Sequence, residues 1–73
     1  MADFITRVAE HFDELTKSHK EVANYFLYNL DKVAVGTLED LAGLVGVSTT
    51  TVIRFARQLG YSGFTELQKD AQD

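Results

Sequence analysis

The sequence predicts an all-α fold of five helices, two of which form a helix-turn-helix, with no β-wing. Apolar residues recur at three- and four-residue intervals through most of the 73 residues, which is typical of amphipathic helices. Serine or threonine precedes several of these repeats, where such residues cap helix N-termini. The three consecutive threonines at 49–51 favour a strand only weakly. A single small domain is therefore expected.

A break at Thr16 and Lys17 separates the first two predicted helices. The first helix carries an apolar stripe of Phe4, Ile5, Val8, Phe12 and Leu15. Ser18 and Glu21 have the spacing of a capping box, so we expect the second helix to be capped by Ser18. Its apolar face consists of Val22, Ala23, Phe26, Leu27 and Leu30.

A connector is expected from Asp31 to Gly36, with Val33 and Val35 pointing inward. Thr37 then has the position of an N-cap, because acidic residues follow it in the first turn, where the helix dipole favours them. The apolar positions of this third helix are Leu38, Leu41, Ala42 and Val45.

Gly46 is expected to end the third helix in a left-handed conformation. Ser48 caps the fourth helix, predicted over residues 48–59, and about three residues join the two helices. A link this short with glycine in the turn predicts a helix-turn-helix over residues 37–59. A turn at residues 61–63 leads to the last helix, which begins at Phe64.

The fourth helix has one apolar side and one polar side on a helical wheel. The apolar side consists of Val52, Phe55, Ala56 and Leu59. The polar side has no acidic residue, and none occurs from Leu41 to Thr65. Arginine, glutamine and threonine are side chains that bind base edges and phosphates. We therefore predict DNA contacts from Thr37, Ser48, Thr49, Thr50, Thr51, Ile53, Arg54, Arg57 and Gln58.

Within this set we expect Thr49, Thr50 and Arg54 to read bases, because the N-terminal part of the second helix enters the major groove. Ser48 and Thr37, each at a helix N-terminus, suit phosphate. Structural roles are the alternatives: Ser48 caps its helix in any case, the arginines could be ordinary solvated charges, and Ile53 could be a half-buried flank.

Four segments of the chain resemble the N-terminal domain of RpiR-type transcriptional regulators, and together they cover nearly all of it. They are residues 15–26, 37–42, 46–55 and 59–67. The stretch from Val52 to Leu67 is the most specific, with Val-Ile-Arg-Phe followed by Leu-Gly-Tyr-Ser-Gly-Phe. The connector at residues 29–33 lacks the proline often found there in the family.

The resemblance implies a bacterial, cytoplasmic DNA-binding domain of five helices that acts in sugar metabolism. It also implies a C-terminal sugar isomerase-like domain that senses phosphosugars, so we expect this chain to be a fragment. Any phosphosugar effector is expected on that other domain. We expect the partner to be a double-stranded DNA operator, bound by a homodimer.

The net charge of −4 supports a different hypothesis, a non-catalytic helical bundle that binds other proteins. A positive surface confined to the fourth helix would favour DNA over this alternative. We expect no enzyme activity, because the sequence has no cysteine and suggests no nucleophile–base pair. No cofactor or metal is expected either, because His11 and His19 lie apart without a third clustered ligand. No apolar run is long enough for a membrane span.

Overall fold

A computed structural model describes residues 3–72, which form six α-helices and one 3-10 turn. The elements are α1 (Phe4–His11), the 3-10 turn (Phe12–Glu14), α2 (Lys17–Tyr28), α3 (Leu30–Val35), α4 (Leu38–Val45), α5 (Thr49–Gln58) and α6 (Phe64–Gln72). The predicted all-α class is confirmed, and residues 3–72 contain no strand. The predicted number of five helices is wrong, because the expected connector forms a helix of its own, α3.

The core is built around α5, which packs against α2, α4 and α6. Phe55 of α5 is fully buried and makes edge-on contacts with Phe4 of α1 and Phe26 of α2. The ring centroids of Phe26 and Phe55 are 5.8 Å apart. Aromatic pairs in this geometry are favourable beyond the area that they bury. These rings therefore fix α1, α2 and α5 to one another.

The start of α2 differs from the capping-box prediction. Thr16, not Ser18, is the N-cap, and its hydroxyl accepts a hydrogen bond from the backbone N–H of His19 at 3.2 Å. The backbone is extended at Leu15 and Thr16, and Leu15 is buried. The extended backbone at Thr16 lets its hydroxyl reach the N–H three residues later, so the next helix begins directly after Thr16. Ser18 lies exposed in the first turn of α2.

Residues 30–35 form α3, which packs on α6. The amide of Gln68 on α6 donates to the carbonyl oxygens of Val33 and Gly36, at 3.1 and 2.7 Å. Carbonyls at the end of a helix have no partner within the helix, so these bonds stabilise the short α3. Val33 is buried as expected, but Val35 is 85% exposed, and the prediction that it points inward is wrong.

The turn between α4 and α5 spans residues 46–48. Gly46 has a φ of 91°, and its N–H donates to the carbonyl oxygen of Ala42 at 2.9 Å. The N–H of Val47 donates to the same oxygen at 3.0 Å. A residue with a side chain is strained at this φ, so the expectation of a left-handed glycine here is confirmed.

The last helix is attached to the domain through Tyr61, which lies in the turn after α5 and is buried. Its hydroxyl donates to Oδ2 of Asp70 on α6 at 2.6 Å. Burial of the phenol raises the pKa of Tyr61 above its ordinary value of 10.0, and the hydrogen bond to Asp70 raises it further.

No helix within residues 3–72 has the length and apolarity needed to cross a bilayer.

Two glycines of the α4–α5 region allow backbone strain to be separated from steric clash. A Cβ at either Gly43 or Gly46 would meet no atom within 4 Å, but only Gly46 has a positive φ. We expect Gly43→Ala to raise the free energy of unfolding by about 0.5–1 kcal/mol, because Gly43 is helical. Gly46→Ala should lower it by about 1–2 kcal/mol. Urea denaturation measures both, and a neutral Gly46→Ala variant would contradict the assigned turn.

A second prediction concerns alkaline pH. Folding raises the pKa of Tyr61, so the folded state favours the neutral phenol. The resulting contribution to the free energy of unfolding is complete below about pH 10 and is lost as the pH rises further. The loss is at most about 1.4 kcal/mol per pH unit. We expect the free energy of unfolding of Tyr61→Phe to fall less steeply above pH 10 than that of the wild type. Equal slopes in urea denaturation series would show that Tyr61 is not buried as described.

Candidate nucleic-acid interface

The orientation of α5 is set by the burial of one side. Val52, Phe55 and Ala56 are fully buried, and Leu59, directly after the helix, is buried with them. Since residues on the opposite side of a helix point away from the core, this packing turns Thr50, Arg54 and Arg57 outward. All three are exposed in the structure.

The two arginines carry the positive charge of this face. Within residues 3–72, neither Arg54 nor Arg57 forms an ion pair, since the charged contact there joins Arg7 and Asp70. Nε of Arg57 donates to the carbonyl oxygen of Ser62 at 3.4 Å, which holds that side chain toward the turn after α5. Arg54 has no hydrogen-bond partner among the described residues. Its guanidinium group is therefore available for a ligand outside the domain.

The N-caps of α4 and α5 are Thr37 and Ser48. Ser48 accepts a hydrogen bond from the N–H of Thr51 at 3.2 Å, and the hydroxyls of the two residues are 3.0 Å apart. At the start of α4, Thr37 accepts from the N–H of Asp40 at 3.1 Å. Ser48 and Thr37 are both exposed, so each hydroxyl caps its helix and still faces solvent. Glu39 and Asp40 place negative charge beside Thr37 but not beside Ser48.

Four of the predicted contact residues are half-buried flanks of the exposed face: Thr49, Thr51, Ile53 and Gln58. Gln58 is bonded within the domain at both ends of its amide. Its Oε1 lies 2.6 Å from Nδ1 of His19, and its Nε2 donates to the carbonyl oxygen of Glu14 at 3.1 Å. These bonds tie α5 to the 3-10 turn and to α2, a structural role that the sequence analysis did not foresee.

The two histidines are engaged in structural contacts. The ring of His19 packs edge-on against Phe55, and Nδ1 of His11 lies 2.9 Å from the carbonyl oxygen of Arg7. In the part of the chain that the structure describes, no three His, Asp or Glu residues are grouped in a way that could hold a metal ion.

Curated relatives of the chain are transcriptional regulators. It is 34% identical over 64 residues to the HTH-type transcriptional regulator YfhH of Escherichia coli K12, a match that covers 88% of this chain and 23% of YfhH. It is 31% identical to an HTH-type transcriptional regulator of Haemophilus influenzae, with 88% and 22% covered. The chain thus spans about a quarter of the length of these relatives.

Two solved structures have a similar fold. The N-terminal domain of the Bacillus subtilis regulator ybbH matches with a TM-score of 0.87 and 25% identity, over 94% of this chain and 84% of that one. The Vibrio vulnificus NanR protein, solved in complex with ManNAc-6P, matches with a TM-score of 0.90 and 28% identity, over 96% of this chain and 27% of NanR.

The family model for the helix-turn-helix domain of the rpiR family matches residues 2–72. This match covers almost the whole chain and includes α4, α5 and the turn between them. The chain therefore belongs to the rpiR family of helix-turn-helix domains.

Proposed function

We propose that the domain binds a double-stranded DNA operator with α5 in the major groove. One observation carries this proposal: the exposed face of α5 presents Thr50, Arg54 and Arg57, and none of the described acidic residues pairs with either arginine. A helix with such a face fits the major groove, where arginine binds guanine and threonine contacts phosphate or the thymine methyl group. No β-wing is needed for this contact.

We assign different tasks to the residues along this face. Thr49, Thr50 and Arg54 lie toward the N-terminal part of α5 and read bases, while Ile53 contacts a thymine methyl group from the flank. Arg57 binds phosphate, because its bond to Ser62 directs the side chain toward the turn after α5 and away from the base-reading residues. Ser48 and Thr37 bind phosphate at helix N-termini, with Thr51 supporting Ser48. Gln58 reaches DNA only if its bonds to His19 and Glu14 break.

The small number of cations limits the affinity of a single domain. A protein gains affinity for DNA by releasing counterions from each phosphate that it neutralises. Two arginines release few counterions, so one copy of the domain binds weakly. We propose that the regulator acts in the cytoplasm as a homodimer on a two-fold operator. Once one domain is bound, the second is held near its half-site at a high effective concentration, so the dimer binds more tightly than one domain. This proposal includes no enzyme activity for the domain.

We further propose that the regulator controls sugar or phosphosugar metabolism. The support is the similarity to NanR, a protein whose structure was solved with the phosphosugar ManNAc-6P. This chain matches 27% of NanR. The phosphosugar would bind a domain other than the one described, consistent with the expectation of a sugar isomerase-like domain.

The acidic net charge of −4 favours one other function, a helical bundle that docks other proteins. Tyr28 and Val35 are apolar and 87% and 85% exposed, as a docking surface would require. Since these two side chains do not belong to α5, the two functions use different surfaces. Variants on α5 therefore discriminate between them.

Arg54→Gln tests the proposed base contact. We expect it to weaken binding to duplexes selected by the wild-type domain from random DNA by about 1–3 kcal/mol, and to relax the preference for guanine at one position. Arg57→Gln should weaken binding to all sequences equally and reduce the salt dependence. Lys69→Gln, which removes an exposed charge from α6, is the matched control. Unchanged affinity in both arginine variants would refute the assignment of α5, and fluorescence anisotropy provides the measurement.

Ser48 offers a test that separates capping from phosphate binding. Asparagine and aspartate cap helices about as well as serine, so Ser48→Asn and Ser48→Asp should both fold with stability close to the wild type. Only Ser48→Asp places a negative charge where we propose a phosphate, and it should lose affinity while Ser48→Asn retains it. Equal affinities of the two variants for DNA would show that no phosphate lies at this cap.

A further inference from the structure

Arg7 of α1 connects three elements at the C-terminal end of α5. One guanidinium nitrogen, Nη1, donates to the carbonyl oxygen of Leu59 at 3.1 Å. The guanidinium carbon lies 4.6 Å from the centre of the Tyr61 ring, so the cation rests on the ring face. Arg7 thereby contacts the backbone just after α5 and the turn that follows it.

Asp70 of α6 completes this cluster of three side chains, the Arg7–Tyr61–Asp70 cluster. Its Oδ2 accepts the hydrogen bond from the Tyr61 hydroxyl and lies 3.8 Å from Nε of Arg7. That Nε is buried and has no hydrogen-bond partner within the described residues, so Asp70 supplies its charge compensation. The cluster joins α1, the turn after α5 and α6 in one network.

The backbone at Gly60 is adapted to this cluster. Gly60 has a φ of 97°, and a Cβ there would lie 2.9 Å from Nη1 of Arg7. The positive φ favours glycine at this position. A side chain there would also displace the flexible end of Arg7 from its present position, so Arg7 lies directly against the backbone that follows α5.

The position of the end of α5 matters because the proposed base-reading side chain, Arg54, lies on the same rigid helix. Functional side chains act only when their supporting contacts hold them within about 0.5 Å of the productive geometry. At its other end, α5 is held by the turn at Gly46 and the cap at Ser48. The C-terminal end of α5 is held by the contact of Gln58 with His19 and by the bond from Arg7 to the carbonyl oxygen of Leu59.

We propose that Arg7, supported by Tyr61 and Asp70, is a positioning residue for α5, and that it raises DNA affinity without touching DNA. The inference rests on the proposed binding of DNA by α5. A side chain on α1 thus contributes to DNA recognition, although the helix that contacts DNA lies more than forty residues away in the sequence. The competing role is a direct contact with phosphate, since the side chain of Arg7 is 31% exposed.

The salt dependence of binding separates these two roles. A cation that contacts phosphate contributes about 0.9 to the slope of log K against log salt concentration, whereas a positioning residue contributes nothing. The experiment compares Arg7→Lys, which keeps the charge but loses the planar group, with Arg7→Gln, which loses both. Each is titrated with the duplex selected by the wild-type domain, over a range of salt, at a temperature where circular dichroism shows it folded. Lys69→Gln, which removes a charge outside the cluster, is the control.

We expect both Arg7 variants to bind about 2- to 30-fold more weakly than the wild type, the range found for side chains that modulate binding without touching a ligand. The salt slope should stay at the wild-type value, and Lys69→Gln should bind like the wild type. A slope reduced by about 0.9 in Arg7→Gln but not in Arg7→Lys would overturn the proposal in favour of a phosphate contact. Wild-type affinity in both variants, with only the thermal midpoint lowered, would overturn it in favour of a purely stabilising role.

Tyr61→Phe provides a second test if an Arg7 variant does not fold. It removes the hydroxyl that binds Asp70 but keeps the ring on which Arg7 rests, so it should lower the affinity in the same direction with an unchanged salt slope. Wild-type affinity in folded Tyr61→Phe would count against the cluster. Failure of the wild-type domain to bind any duplex would instead refute the proposed function itself. Normal wild-type binding with a weakened Arg54→Gln variant and unaffected Arg7 variants would refute only the inference about Arg7.

Discussion

The burial of one side of α5 is the constraint on which the rest of the structure depends. Phe55 packs against both Phe4 and Phe26, and Val52 and Ala56 are buried on the same side. Because a helix cannot rotate without exposing these residues, their burial fixes which side chains of α5 face outward. The same packing thus supplies much of the stability of a small core and sets the direction of Arg54. Fold and proposed recognition therefore depend on one set of contacts.

The placement of charge explains how an acidic domain can carry a surface for a polyanion. Eleven acidic residues outnumber seven basic ones, but none lies between Leu41 and Thr65. Acidic residues instead occupy positions such as the first turn of α4 and Asp70, where they face a helix dipole or a cation. The segment that contains α5 is thus positively charged although the domain as a whole is acidic. The weak binding that we propose for one copy follows from the small number of arginines, and it makes the position of each arginine more important.

Local features of the helix-turn-helix could be predicted from the sequence, because they depend on residues close together in the chain. Gly46, Ser48 and Thr37 act as helix ends through contacts over three or four residues, and the sequence contains this information. The bonds from Gln68 to the end of α3, and the contacts of Gln58 and Arg7, join residues that are up to 52 positions apart. These long-range contacts have no local signal, so a single sequence did not predict them. The N-cap at Thr16 is a local contact with the N–H of His19, but Ser18 and Glu21 at capping-box spacing gave a competing local signal. The DNA contacts assigned to α5 remain predictions.

The most direct test of the account is to map the DNA contact surface by NMR. Backbone amide resonances of the isotope-labelled chain would be followed at low salt during titration with the duplex that it selects. We expect the largest changes at Thr37, in residues 48–54 and at Arg57, with little change on the outer surfaces of α2 and α3. Changes concentrated around Tyr28 and Val35, with α5 unaffected, would contradict the claim that the outward face of α5 binds DNA.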